Sequence, residues 1–343
     1  LDEAHQIKNR DTRVSAAAMG LEADSRLILT GTPLQNHLGE LWNLFQFINP
    51  GLLGSWQDFK ARYLHGELDE GHREFLRDLV QPFILRRTKE EVLDELPEKI
   101  VIEQMVELSP EEMRLYEAMR KYVEDRVRGK GKKGKTPEGE DPVEVSFFAE
   151  LTRLRLAALS MSLVNDDWTL GSSKTAALMD ILDGISAVGG NQAVVFSQFT
   201  SYLTEIRAVL DRRGIRHLYL DGQTPLEERR DIVTQFQDGD CPLLLASLKA
   251  GGLGLNLTAA NYVILLDPWW NPAIESQAMD RAHRIGQQRT VTVIRLVSRH
   301  TIEEKILRLH GTKQALAERM LDGTAYSGRL TMDDVLEMVS PFR

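Results

Sequence analysis

The chain has 343 residues and carries 42 Lys and Arg against 51 Asp and Glu, which gives a formal net charge of −9. The length predicts about two globular units, and a hydrophobic content of 42% excludes a wholly disordered chain. The single cysteine, Cys241, excludes a disulfide framework and a cysteine-ligated zinc site, and the acidic balance argues against binding of nucleic acid over the whole surface while leaving room for a local basic groove.

The sequence starts at Leu1 without a methionine or a signal peptide, and we expect it to be a fragment of a longer protein. No apolar run reaches the roughly 18 residues of a transmembrane helix, so no membrane association is expected. No dedicated targeting signal is seen. The Lys-rich run at residues 130–135 resembles a nuclear localisation signal, but this composition is common in solvated loops.

The first part of the chain is predicted to be helical and mixed. Residues 26–30 (RLILT) form a short apolar run before Gly31 and are predicted to be a buried strand, whereas residues 40–48 and 56–63 have helical spacing. Ser109, Pro110 and Glu112 predict a helix start with a capping box, and this helix should run to about residue 127.

Residues 128–142 contain only Gly, Lys, Arg, Pro, Thr and acidic residues, so they are predicted to form a disordered basic loop. Within this segment, residues 129–136 match the phosphate-loop pattern G-x-x-x-x-G-K-[ST]. A working phosphate loop needs a strand before it and a helix after it. A charged helix precedes this match and Pro137 follows it, and we therefore interpret it as a solvated loop.

From residue 173 onward, short apolar strands alternate with amphipathic helices, which predicts an α/β fold with a parallel sheet covered on both faces. The predicted strands are residues 193–197, 217–220, 242–247, 262–266 and 291–297. The predicted helices are residues 174–188, 199–213, 224–237, 272–285 and 302–321. The third of these helices is expected to start with a capping box formed by Thr224 and Glu227, with Pro225 at its first position.

Three groups of residues carry candidate chemistry. Asp2 and Glu3 form an adjacent acidic pair, of the kind that holds Mg²⁺ and polarises the attacking water in phosphate-hydrolysing proteins, although acidic residues are more commonly just solvated. The glycines that follow the strand at 242–247 can bring backbone N–H groups close to a phosphate of ATP or DNA. Gln277, Arg281 and Arg284 have the spacing that places them on one face of the helix predicted at 272–285.

Eight segments, in order along the chain, resemble the motifs of the Swi/Snf-type ATPases, which are helicase-like chromatin and DNA remodellers of superfamily 2. The segments are LDEAHQIKN (1–9), LTGTPLQN (29–36), FILRRTKEEVLDELPEK (83–99), VVFSQF (194–199), YLDGQT (219–224), ASLKAGGLGLNL (246–257), LDPWWNP (266–272) and QAMDRAHRIGQ (277–287). The later segments are most similar to the bacterial branch of this family.

The resemblance implies an α/β fold of RecA-like helicase lobes. Residues 1–90 would be the C-terminal remainder of a truncated first RecA-like ATPase lobe, and residues 91–172 a helical linker and protrusion with the basic loop near 128–142. Residues 173–321 would be an intact second RecA-like lobe, and residues 322–343 a C-terminal tail. Residues 1–90 are expected to fold poorly alone.

The resemblance also implies an ATP-dependent translocase or remodeller of double-stranded DNA, whose DNA-stimulated ATP hydrolysis uses ATP and Mg²⁺ between two lobes. Asp2 would hold Mg²⁺ through water, Glu3 would activate water, and Arg281 and Arg284 would act as arginine fingers. ATP binding and coupling would involve His5, Thr30, Gly31, Thr32, Gly252, Gly254, Gln277 and Asp280. DNA binding would involve Ser197, Gln198, Ser247, Lys249 and Asn256.

Trp269 and Trp270 leave two interpretations open, stacking on a base or packing beneath the helix that carries the arginines, and packing is favoured. Two other functions also remain open, a strand-separating helicase of superfamily 2 and a non-catalytic interaction module. Without a Walker A loop in this sequence, the chain alone is expected to be inactive. Further expectations are a monomeric motor with DNA-bound proteins or RNA polymerase as partners, located at the nucleoid in the cytoplasm if bacterial and in the nucleus if eukaryotic.

Overall fold

The computed structural model describes residues 1–30, 38–64, 70–85, 87, 89–93, 95–130, 142–248, 254–270, 272–308 and 332–342. The chain divides into two compact units, of which the first contains Leu1–Asp94 and the second Glu95–Arg308 with residues 332–342. Within these described ranges, no helix is long and apolar enough to span a bilayer.

The first unit is a set of short helices with a small aromatic core. Its helices are α1 (Arg13–Met19), α2 (Leu38–Ile48), α3 (Trp56–Tyr63), α4 (Glu70–Val80) and α5 (Lys89–Val92). The helices predicted at 40–48 and 56–63 are therefore confirmed. Trp42 and Phe45 of α2 pack with Phe59 and Tyr63 of α3, which are all buried.

The buried strand predicted at residues 26–30 is wrong. This segment is extended but is not part of a sheet, and Leu27 and Leu29 are 71% and 56% exposed. Ile28 packs on the small core formed around Ile7 and Phe47, and Arg26 donates to the Phe47 carbonyl at 3.0 Å. The segment is thus half-buried, with its backbone bonded to Leu1 and Ala4 on one side.

The second unit contains a six-stranded parallel sheet in the order β1-β6-β5-β2-β4-β3, as the α/β prediction requires. The strands are β1 (Lys99–Val106), β2 (Ala193–Ser197), β3 (Leu218–Leu220), β4 (Leu243–Ser247), β5 (Tyr262–Leu265) and β6 (Val291–Ser298). The first helices of this unit are α6 (Pro110–Lys130), α7 (Pro142–Leu159), α8 (Ser173–Ala187) and α9 (Thr200–Arg212). They are followed by α10 (Leu226–Gln237), α11 (Pro272–Met279), α12 (described over residues 302–308) and α13 (Met332–Val339).

Successive residues of the central strands enter opposite core layers. Val194 of β2 is paired in register with Leu244 and Val263, and these three side chains belong to the core under α10 and α11. Val195, the next residue, belongs to the core under α8 and α9, and it is also fully buried. Burial on both faces explains why these strands read as continuous apolar runs in the sequence.

Two elements of the second unit have no counterpart among the predicted elements. Strand β1, inside the segment predicted to be a helical linker, pairs with β6 at the sheet edge. Its residues Ile100, Val101 and Ile102 are 40–44% exposed, so it lacks the pattern of a buried strand. Helix α13 lies in the predicted tail and is bound at its C-terminal end, where Arg120 donates a 2.6 Å hydrogen bond to the carbonyl of Val339.

Of the two predicted capping boxes, the one at the start of α6 is confirmed and the one at the start of α10 is wrong. At α6, Ser109 N–H donates to Glu112 Oε2 at 2.9 Å and Glu112 N–H donates to Ser109 Oγ at 3.3 Å, which completes the expected capping box. At α10, no side chain caps the helix. The Thr224 hydroxyl instead accepts from Asp221 N–H at 3.0 Å, because the preceding Asp221 turn competes for it.

Helix α6 continues to Lys130, beyond its predicted end. The basic loop and its phosphate-loop match therefore fall almost entirely in residues 131–141, which lie outside the described residues.

A buried ion pair joins the first turn of α8 to α12. The ammonium group of Lys174 contacts the carboxylate of Glu303 and donates to the carbonyl of Leu266 at 2.8 Å. Both side chains are almost fully buried, and burial lowers the pKa of Lys174 and raises the pKa of Glu303. Each group therefore depends on the other to remain charged.

We expect Lys174→Met to lower the free energy of unfolding by about 3–5 kcal/mol, because it leaves the Glu303 carboxylate buried without its cation. The double variant Lys174→Met/Glu303→Gln should regain most of this loss, since the amide oxygen can still accept from Ser298 N–H. Urea unfolding of the full chain measures both values. A double variant as unstable as the single one would contradict the electrostatic origin of the effect.

Candidate functional site

The acidic pair lies in a strained turn of the first unit. Asp2 is exposed, and one of its carboxylate oxygens accepts from Glu3 N–H at 2.8 Å. Glu3 has φ 49° and ψ 48°, a left-handed conformation that a residue with a side chain rarely adopts. The Glu3 carboxylate lies 3.2 Å from the imidazole of His5. A non-glycine residue held in this conformation is typical of functional turns.

Backbone hydrogen bonds place this turn beside the segment that ends at Thr30. Leu29 N–H donates to Leu1 O at 2.8 Å, and Ala4 N–H donates to Leu29 O at 3.0 Å. The structure therefore places the backbone of this turn beside Leu29, the residue before Thr30. Gly31 and Thr32, predicted with them, lie outside the described residues.

The exposed carboxylate of Asp2 fits a magnesium ion bound through water. Mg²⁺ prefers carboxylate oxygens and keeps several of its waters, so it does not need a full protein cage. Within the part of the chain that the structure describes, no group of three or more His, Cys, Asp or Glu residues forms such a cage. Asp2 would thus contribute one carboxylate to holding the ion.

In the second unit, polar residues follow β2, β4 and β5 at the carboxyl ends of the strands, where open parallel sheets bind their ligands. Ser197 is fully buried, and its hydroxyl donates to Asp267 at 2.5 Å. Ser247 is also buried, at 4% exposure. Gln198 is half-buried and Asn256 is exposed, so these two of the predicted DNA-binding residues present surface to a ligand.

Two residues absent from the predicted site organise this edge. Asp267 accepts from Ser197 and from both the backbone and side-chain amides of Gln198. Arg155 of α7 lies 3.7 Å from Asp267 and donates to Gln198 Oε1 at 3.0 Å. An arginine inside the otherwise apolar run 154–159 (LRLAAL) was the available signal, because a charge in such a position needs a buried partner.

The two tryptophans pack against the protein. Trp269 lies against the core cluster that contains Ala278 and Met279 of α11, which confirms packing beneath this helix. The backbone N–H of Trp269 donates to Glu275 Oε1 at 2.7 Å. Trp270 is half-buried, with its ring centroid 5.1 Å from the Arg155 guanidinium carbon.

The predicted helix at 272–285 is too long. Helix α11 ends at Met279, and Asp280, Arg281 and Arg284 lie in the following turns, so helical spacing does not place the arginines on one face with Gln277. Past Met279 the N–H groups of Arg281 and Ala282 bond three residues back, and the Arg281 carbonyl accepts from Leu257 N–H at 3.0 Å. Gly286, with φ 100°, then reverses the chain. Arg281 and Arg284 are both half-buried.

One amide fixes these turns against the end of the glycine-rich loop. The Gln287 amino group donates to the carbonyls of Thr258, Ala260 and Ala282 at 2.9–3.1 Å. Its amide oxygen accepts from the next two backbone N–H groups. Gly254, with φ 75°, belongs to the described part of that loop, whereas Lys249 and Gly252 lie outside the described residues.

We expect Gln287→Ala to lower the free energy of unfolding by at least about 2 kcal/mol, because it leaves buried carbonyl and N–H groups without partners. Gln288→Ala is the matched control, since Gln288 is an exposed neighbour and should be near neutral. Urea unfolding of both variants measures the difference. Equal urea midpoints for the two variants would show that the hydrogen bonds of the Gln287 side chain contribute nothing to stability.

The comparisons with known proteins agree with this arrangement. Residues 1–157 match the SNF2-related domain, and residues 173–286 match the helicase conserved C-terminal domain. The chain is 37% identical to an uncharacterized ATP-dependent helicase of Mycoplasma genitalium over 94% of this chain and 30% of that protein. It is also 37% identical to the putative ATP-dependent helicase/translocase YwqA of Bacillus subtilis, over 98% of this chain and 37% of that protein. The chain spans about a third of the length of these curated relatives.

A solved structure gives the same result for the fold. The SWI2/SNF2 ATPase core of Sulfolobus solfataricus in complex with dsDNA is 30% identical, with a TM-score of 0.57, over 100% of this chain and 72% of that chain. This likeness confirms the RecA-like α/β fold class. With this likeness over most of the Sulfolobus core and both domain models matched in order, this chain belongs to the SWI2/SNF2 ATPase family.

Proposed function

We propose that this chain forms part of an ATP-driven translocase that moves along double-stranded DNA and whose ATP hydrolysis is stimulated by that DNA. The strained turn at Asp2 and Glu3 is the observation that carries the proposal. A left-handed non-glycine residue costs on the order of 1–3 kcal/mol, and such strain persists where function depends on it. The dsDNA bound to the Sulfolobus core supports duplex DNA as the substrate.

The acidic turn would act on the nucleotide phosphates. Asp2 would hold Mg²⁺ through water, and the ion, when bound, would neutralise charge on the phosphate oxygens. Glu3 would accept a hydrogen bond from the attacking water, with its carboxylate oriented by His5 at 3.2 Å. Thr30, whose backbone lies next to this turn, would respond to the state of the nucleotide.

Arg281 and Arg284 would stabilise the charge that develops during phosphoryl transfer. A planar guanidinium suits phosphate oxygens better than an ammonium group because it offers a fixed fork of donors. The bond from Leu257 N–H to Arg281 O and the Gln287 clamp support this role by fixing the turn backbone. Gln277 and Asp280, next to this turn, and the glycine-rich loop around Gly252 and Gly254 would support the nucleotide from the same unit.

Gln198 and Asn256 would contact DNA directly, because Gln198 is only half-buried and Asn256 is exposed to solvent. Lys249 would add a phosphate contact of the kind that dominates affinity for nucleic acid. Ser197 is buried, so we propose that it acts through Asp267. Ser247, equally buried, would fix the start of the glycine-rich loop.

The first test measures ATP turnover by the longest natural polypeptide that contains this sequence, with and without duplex DNA. Duplex DNA should raise turnover, and Glu3→Gln should lower the stimulated rate about 10²–10⁴-fold, as expected for loss of a general base. Glu22→Gln is the control, because Glu22 is exposed elsewhere in the first unit. An ATP turnover rate that duplex DNA does not raise, or that Glu3→Gln does not lower, would disprove the proposal. Displacement of a paired strand in the same mixture would favour a strand-separating helicase instead.

The second test concerns the arginines. Arg281→Ala and Arg284→Lys should each lower stimulated turnover about 10³-fold or more, because an arginine finger acts mainly in the transition state. ATP affinity should change far less, and DNA binding without nucleotide should persist. Arg216→Lys, at an exposed position of the second unit, should leave all three quantities unchanged. Near-normal turnover of both arginine variants would remove them from the site.

A further inference from the structure

Arg155 is a buried cation that joins the residues following the C-terminal ends of β2 and β5. Its side chain comes from α7 and is 4% exposed. One terminal nitrogen donates to Gln198 Oε1 at 3.0 Å, just after β2, and the other donates to the carbonyl of Pro268 at 2.8 Å, after β5. The second nitrogen also lies 3.7 Å from the Asp267 carboxylate. The guanidinium therefore fixes the distance between the segments that follow β2 and β5.

Aromatic rings enclose the same guanidinium. Its central carbon lies 5.2 Å from the ring centroid of Phe199, 5.1 Å from that of Trp270 and 5.9 Å from that of Trp269. Burial lowers the pKa of Arg155, and the negative charge of Asp267 opposes this shift. Desolvated contacts between a cation and aromatic rings are strong, and they hold the plane of the guanidinium in one orientation.

The contacts continue from Arg155 toward the arginine-bearing turn. The backbone N–H of Trp269 donates to Glu275 Oε1 at 2.7 Å, and the other oxygen of this buried carboxylate accepts from Arg295 at 2.8 Å. Glu275 belongs to α11, which leads directly into the turn of Arg281. On the other side, the Gln198 side chain bonds both to Arg155 and to Asp267. An unbroken series of polar contacts thus runs from Gln198 to α11.

We propose that Arg155 is a positioning residue that couples DNA contact at Gln198 to the placement of Arg281 and Arg284, and so to DNA stimulation of ATP hydrolysis. The proposal rests on the proposed function and deepens it. A shift of Gln198 on DNA would move the guanidinium, which is bonded to the Pro268 carbonyl, and with it the turn of Trp269 that holds α11. A cation with only a structural role would instead affect stimulated and unstimulated turnover alike.

Arg155→Lys separates these two roles. Lysine keeps the positive charge beside Asp267, so it avoids a bare buried carboxylate. It loses the fork that reaches Gln198 and Pro268 at once. Arg153→Lys is the matched control, because Arg153 lies two residues earlier on α7 and is exposed.

The experiment measures turnover with and without saturating duplex DNA in the longest natural polypeptide that contains the chain. Arg155→Lys should lower the ratio of stimulated to unstimulated turnover by about 5- to 150-fold, the usual range of coupling between sites. Arg153→Lys should leave this ratio unchanged. Gln198→Ala should also lower the ratio, and the Arg155→Lys/Gln198→Ala double variant should lose no more than the stronger single variant, because both act in one series.

The outcomes separate the two proposals. A wild-type protein without DNA stimulation would refute the proposed function itself. A wild-type protein that is stimulated, alongside an Arg155→Lys variant with the same ratio, would overturn the coupling role alone, even if both rates fell together. If Arg155→Lys fails to give a native melting transition, Gln198→Ala decides the question, and an unchanged ratio in that variant overturns the coupling.

Discussion

The parallel register of β2, β4 and β5 is the constraint on which the site of the second unit depends. Because these strands run in one direction and are buried on both faces, their polar exits must all lie at the same edge. Ser197, Ser247 and Asp267 meet the ends of three neighbouring strands in this way. Buried Asp267 accepts from Ser197, the last residue of β2, and from Gln198, the residue after it.

Charge at this edge is balanced internally. Asp267 faces Arg155, and Lys174, which donates to the neighbouring Leu266 carbonyl, faces Glu303. In a region of low dielectric, each of these groups would be costly alone. The pairs therefore limit which conformations the edge can adopt, and they bind α7, α8 and α12 to the strand ends.

The two units handle strain differently. In the first unit, Glu3 keeps a left-handed backbone because bonds from Ala4 and Gln6 fix the turn on both sides. In the second unit, the left-handed positions near the site are glycines, Gly254 and Gly286, which adopt this backbone without a steric penalty. Among the described residues His300 is a second non-glycine residue with a positive φ, of 58°, but Glu3 is the one that lies in the acidic turn.

The sequence by itself determined strands β2 to β6, helices α8 to α10, the capping box at Ser109 and the family, because each of these depends on neighbouring residues or on the order of short motifs. The tertiary structure decided where α11 ends, how β1 joins the sheet and why Arg155 and Asp267 belong to the site. In the turns that follow α11, Leu257 N–H bonds to Arg281 O from 24 positions away in the sequence. Similarly, Arg155 reaches Pro268 across 113 positions. Periodicity and capping describe local preference, and a hydrogen bond from a distant backbone group overrides that preference only once the chain has folded.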